Sequence, residues 1–166
     1  GGGVGRGVAG CGGGRRTAAT GPGVGGVGAR RGAGGCPREA HIEPSEAGAT
    51  AFYTHGAKLI LAEGEGAKLT PEAIAAVIDP IEQGVHYSQA QAISITQASE
   101  YGLSYSPDET AASGTFASSR GLGLHIDGAR VADSLASLDC PPPARRFTTA
   151  VRAPALGCVR RGTLGR

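Results

Sequence analysis

No acidic residue precedes Glu39 or follows Asp139, and both lysines, Lys58 and Lys68, lie between those limits with all four histidines. Aromatic side chains are as scarce in the flanks: residues 1–36 have none and residues 140–166 have only Phe147. Arginine-bearing flanks could serve as phosphate-binding arms, but with no lysine and one ring to stack on bases a nucleic-acid function is set aside. The formal net charge of +2 is a cancellation, because residues 38–139 hold five basic against 14 acidic side chains. Cys11, Cys36, Cys140 and Cys158 show no C-x-x-C spacing, so no metal site is expected and the thiols are read as reduced and incidental. The first residues lack a continuous apolar stretch, and no uninterrupted apolar run reaches about 18 residues, so neither a secretory signal nor a membrane span is expected. The expected location is cytoplasmic.

Glycine, by contrast, is abundant, with 17 of the 30 glycines in residues 1–36. Glycine brings no side chain to bury and loses the most backbone freedom on ordering. G-x-G-x-x-G matches inside such a segment, including GPGVGG at 21–26, follow no apolar strand and do not make a dinucleotide fingerprint. Gly, Ala, Arg and Pro are also what GC-rich DNA yields in a wrong reading frame. Residues 1–37 and the Pro/Arg-rich tail 140–166 are therefore expected to be irregular or out of frame, around a folded segment 38–139.

That segment has a different pattern. AKLILA at 57–62 reads as a strand and GEGAK at 64–68 as a turn. A helix follows, with Thr70 as N-cap, Pro71 at the first position and Glu72 in the first turn, and with Ala73, Ile74, Val77 and Ile78 on one stripe. AISIT at 92–96 reads as a second strand. Ser106 and Glu109 have capping-box spacing with Pro107 at the first helical position, opening a helix that stops near Gly121. LGLHID at 122–127 is the third strand. Strand, helix, strand, helix, strand with crossover-length connections favours an α/β parallel sheet, in which ligands bind beyond the carboxyl ends of the strands.

Asp127 stands at that end. Alternation puts Leu122, Leu124 and Ile126 on one face and Gly123, His125 and Asp127 on the other. A carboxylate there needs a partner: a bound cationic ligand, Arg130 three residues on, or the start of the following helix, which it would cap. The residues alone leave these open.

HIDGAR at 125–130, with AHIEPSEAGA at 40–49, THGAKLI at 54–60, KLTPEAI at 68–74, SITQASEYG at 94–102 and YSPDE at 105–109, resembles the low-specificity L-threonine aldolase family of the aromatic amino acid beta-eliminating lyase group. The resemblance covers about residues 38–139 and implies a fragment of the large domain of the aspartate-aminotransferase-like fold, with pyridoxal 5′-phosphate as cofactor. It implies that Asp127 pairs with the cofactor's ring nitrogen, that Arg130 contacts ring substituents, and that His41 stacks on the ring and moves protons. Glu46 belongs to the His41 motif without an assigned role. His55, His86 and His125 are candidates for loop or supporting positions. Family members form homodimers or homotetramers with sites completed across subunits.

The sequence also departs from the family pattern. The family's Schiff-base lysine follows HIDGAR by a few tens of residues, yet residues 131–166 contain no lysine, and neither Lys58 nor Lys68 matches its position. The glycine and threonine loop that cradles the phosphate belongs before His41, where only the glycine-rich segment stands. Asp133-Ser134 replaces the usual Asn-Ala. Two functions follow. One is a lyase of amino acid metabolism that splits threonine-like β-hydroxy amino acids into glycine and an aldehyde, with little or no activity expected of this chain. The other is a noncatalytic truncated or mistranslated fragment, or an interaction piece, with an aggregation-prone sheet edge.

Overall fold

The computed structural model describes residues 32–130 and 134. Its elements are β1 (Ala33–Pro37), α1 (Ala49–Tyr53), β2 (Lys58–Ala62), α2 (Pro71–Ile78), β3 (Ala90–Thr96), α3 (Pro107–Ser119) and β4 (Gly123–Asp127), with a single 3₁₀ turn at Glu65–Ala67. The four strands form one parallel sheet in the order β2-β1-β3-β4.

The two main helices begin as their sequences dictate. Thr70 Oγ1 accepts from the Ala73 N–H at the start of α2. At α3, Ser106 Oγ accepts from Glu109 N–H while the Glu109 carboxylate accepts from Ser106 N–H, so two otherwise orphaned donors are satisfied. Both helices cover one face of the sheet. Ile74 from α2 and Ala117 from α3 meet Ile93, Ile95 and Leu124 there, all buried. Burial of Ile74, which is fully enclosed, contributes about 1.5–3 kcal/mol. Arg120 at the end of α3 pairs with Asp79 at the end of α2.

Tyr105 also belongs to this core, and its hydroxyl accepts from the Leu69 N–H at 2.7 Å. Gln97 clasps the Tyr105 backbone from both sides, donating to its carbonyl and accepting from its N–H at 2.9 Å each. Ser99 Oγ donates to the Gly66 carbonyl at 2.7 Å. Gly66 lies at φ +60°, a left-handed conformation that favours glycine. The loop from 97 to 105 is thereby tied at several points before it reaches α3.

One boundary differs from the sequence expectation. Residues 1–37 were expected to stand outside the folded part, but Ala33–Pro37 form β1, flanked by β2 and β3 and buried along its whole length. The reason is physical: a strand covered on both faces and paired on both edges is held by backbone hydrogen bonds and tolerates glycine that would be unstable alone. Pro37 sits at the strand's end, where a missing N–H costs least. The remaining expectations for the flanks, and Cys11, Cys140 and Cys158, lie outside the described residues. Among the described residues no helix is long and apolar enough to cross a membrane.

Candidate active site

Asp127 is the last residue of β4 and is 8% exposed. Its Oδ1 accepts from the Ala129 N–H at 2.8 Å, which turns the chain at Gly128. Its Oδ2 lies 3.1 Å from Nε2 of His41. His41 follows β1 and is fixed by its neighbours, because Ala40 and Ile42 are buried in a small cluster with Cys36. That cluster raises the Cys36 thiol to about 12, chiefly by burial, so it is no nucleophile.

The other side of His41 meets Glu100, from the tied loop after β3. His41 Nδ1 lies 2.7 Å from Glu100 Oε1, and the His41 backbone N–H donates to the same oxygen at 3.2 Å. Glu100 Oε2 accepts from Arg130 Nη2 at 3.0 Å, and Arg130 Nε donates to the Ala98 carbonyl at 3.2 Å. Glu46, buried, brings Oε1 to 3.8 Å from His41 Nε2, and its Oε2 has no hydrogen-bond partner among the described residues.

Three carboxylates thus face one imidazole. The Asp127 hydrogen bond, opposed by burial and aided by Glu100, raises His41 to about 9 and keeps it an imidazolium at neutral pH. Burial works against ionisation of Asp127 and Glu100, but hydrogen bonds outweigh it and both lie below their ordinary values. For Asp127 these come from His41 and Ala129; for Glu100 they come from His41 and Arg130. His125 behaves oppositely. It is 1% exposed, its Nδ1 lies 2.8 Å from Ser94 Oγ on the paired strand, and burial lowers it to about 4, so it is neutral.

His41, Asp127 and Arg130, predicted from the sequence, therefore converge within one cluster, with His41 on Asp127 directly and Arg130 joined through Glu100. Of the alternatives for Asp127, the pair with Arg130 is not formed, since Arg130 pairs with Glu100, while Asp127 Oδ1 takes the Ala129 N–H; the helix it was expected to cap falls largely outside the described residues. His55 and His86 are exposed, and His125 supports β4 from inside. Glu100 was missed, although it stands in SITQASEYG, one of the motifs that carry the resemblance; no role was attached to it there.

A parallel α/β sheet with a partly buried acid–base cluster past the carboxyl ends of its strands places the chain in the α/β class, in which ligands bind at that end of the sheet. Residues 24–149 match the Beta-eliminating lyase family, and the chain belongs to it. Over 127 residues it is 38% identical to the low specificity L-threonine aldolase of Pseudomonas sp. (strain NCIMB 10558) and 37% identical to that of Pseudomonas aeruginosa. Each alignment covers 76% of this chain and 36% of the relative, so the chain spans about a third of the length of these relatives. The fold is that of Leishmania major threonine aldolase, with a TM-score of 0.72 at 22% identity, covering 80% of this chain and 38% of that one. The expected large-domain α/β architecture is the one observed. The family match extends into both flanks, beginning at residue 24 and ending at residue 149.

The donor set fits one end of a pyridoxal phosphate ring. Asp127 is a buried carboxylate held ionised at the mouth of the sheet, with an imidazole beside it. The covalent anchor does not fit, since neither lysine reaches the cluster. Lys68 Nζ donates to both Glu109 oxygens, at 2.7 and 2.8 Å, and to the Ser104 carbonyl at 3.0 Å. Lys58 is exposed at the start of β2, the opposite end of the sheet.

Proposed function

We propose that this chain is the ring-binding part of a pyridoxal-phosphate-dependent carbon–carbon lyase that cleaves threonine-like β-hydroxy amino acids to glycine and an aldehyde. The observation that carries the reading is the Asp127–His41 pair beyond the carboxyl end of β4. Family membership and the threonine aldolase relatives support it. When bound, the cofactor supplies a ring that accepts the electron pair released as a bond to the substrate's α carbon breaks.

The chain's own residues have separate tasks. Asp127, kept ionised, favours a proton on the ring nitrogen by placing a negative charge beside it. His41 would stack its flat imidazole on the ring and hold a mobile proton near it. Arg130, seated on Glu100, would offer its guanidinium to the ring substituents. Without a lysine at the cluster, little or no turnover is expected of this chain. We further propose a cytoplasmic protein acting on a small-molecule amino acid, with copies of the chain as partners in the complete enzyme.

The test is a titration of the purified chain with pyridoxal phosphate, followed by borohydride reduction and mass analysis, with aldehyde release from L-threonine assayed in parallel. Saturable noncovalent binding that weakens in Asp127→Ala, with no reduced adduct at Lys58 or Lys68 and no aldehyde, is the expected result. Affinity unchanged in Asp127→Ala refutes the ring-binding assignment. A specific reduced adduct refutes the missing anchor.

A further inference from the structure

We propose that Glu100 is the positioning residue of this site, its two carboxylate oxygens fixing the orientation of His41 and Arg130 and directing the mobile proton of His41 to Nε2. The role of this arrangement in lyase chemistry rests on the function proposed above; the orientation itself does not.

The geometry is specific. One oxygen, Oε1, accepts from both the ring Nδ1 and the backbone N–H of His41, which sets the ring plane as well as its position. The other, Oε2, takes Arg130 Nη2. A single carboxylate thus spans the turn after β1, four residues past its end, and the turn after β4, which follow two strands that are not neighbours in the sheet. Glu100 can do this because its loop is immobilised: Gln97 clasps Tyr105, and Ser99 reaches Gly66. Arg130 is held a second time by the Ala98 carbonyl, from the same loop.

The consequence for the proton follows from competition between two anions. The groups facing His41 are Asp127 from β4, Glu100 from the loop after β3 and Glu46 from the segment before α1; Arg130 faces Glu100, and neutral His125 lies two residues before Asp127. When the imidazolium loses one proton, the one that stays is on the better-held nitrogen. Nδ1 is 2.7 Å from Glu100, while Nε2 is 3.1 Å from Asp127. Asp127 is the larger cause of the raised His41 value, but the shorter contact is the one to Glu100, whose Oε1 also takes the His41 backbone N–H; on that geometry Nδ1–H is retained and the proton leaves from Nε2, on the side of Asp127.

Nitrogen-15 NMR of the full chain labelled at histidine reads this directly, with the His41 signals assigned by their loss in His41→Asn. The wild type is expected to titrate near 9 and to give the Nδ1–H tautomer when neutral. In Glu100→Gln, which keeps shape but loses charge, the titration is expected to fall by about one unit or more, with a loss of tautomer preference. An Nε2–H tautomer in the wild type, or an unchanged titration in Glu100→Gln, overturns the proposal. Should Glu100→Gln fail to fold, the wild-type tautomer decides alone. Absence of pyridoxal phosphate binding with these shifts present refutes the lyase reading only; binding with an ordinary His41 titration refutes the role of Glu100 only.

Discussion

Asp127→Asn tests the electrostatics of the site with little change in shape. The amide can still accept from Ala129 N–H, but the atom facing His41 Nε2 becomes either a neutral oxygen or an NH₂ group. His41 stands about 2.5 units above its ordinary 6.5, with the Asp127 hydrogen bond the first cause. With Glu100 still in place, loss of Asp127 should return about one to two of those units, and at about 1.4 kcal/mol per unit the imidazolium loses about 1–3 kcal/mol of stabilisation. The sign of the pH dependence is fixed. A raised folded-state value gives stability that is complete below about 6.5 and is lost as pH rises through about 9. The stability gap between wild type and Asp127→Asn is thus widest near about pH 6 and narrows by about pH 10. Urea unfolding followed by circular dichroism measures it, as the chain has no tryptophan to report by fluorescence. A gap that is equal at both values, or wider in alkali, refutes this account of His41.

Tyr105→Phe should leave the buried Leu69 N–H without an acceptor and cost about 1–3 kcal/mol in thermal or urea unfolding, while His41 titrates as before; no loss of stability would contradict the packing described. Ser106→Ala removes one half of the capping box and should cost about 1 kcal/mol, and Glu109→Ala should cost more because it also releases Lys68; a double-mutant cycle separates the two. His125 contributes stability that is complete above about 6.5 and lost as pH falls through about 4. The slope of stability against pH in that window should therefore drop by close to one proton in His125→Asn, and an unaltered slope counts against a neutral buried imidazole.

Most of the helices and strands are legible because each signal is local. Thr70-Pro71 and Ser106-Pro107 start α2 and α3 through backbone donors within three residues of the cap. The alternation in LGLHID sorts Leu124 toward the helices and His125 toward Ser94. β1 is illegible for the opposite reason: AGGCP has no period, and what makes it a strand is a neighbour on either side. The site divides the same way. Asp127, His41 and Arg130 stand in motifs for which the resemblance supplies a role; Glu100, the carboxylate joining His41 to Arg130, also stands in one, SITQASEYG, but no role came with it. Only the fold brings Glu100 there. The expected Arg130–Asp127 alternative gave way because the turn at Gly128 sends the guanidinium toward that loop.

The placement of β1 has a consequence for synthesis on the ribosome. It emerges first of the seven elements, yet the residues it registers with begin only at Lys58 on one flank and Ala90 on the other. Until both have been made, Ala33–Pro37 is an apolar, glycine-rich ribbon with unmet amides on two sides, the kind of nascent segment that chaperones shield and proteases find. Stalled chains ending before Thr96 should be cut there readily, and chains carried past Asp127 should not.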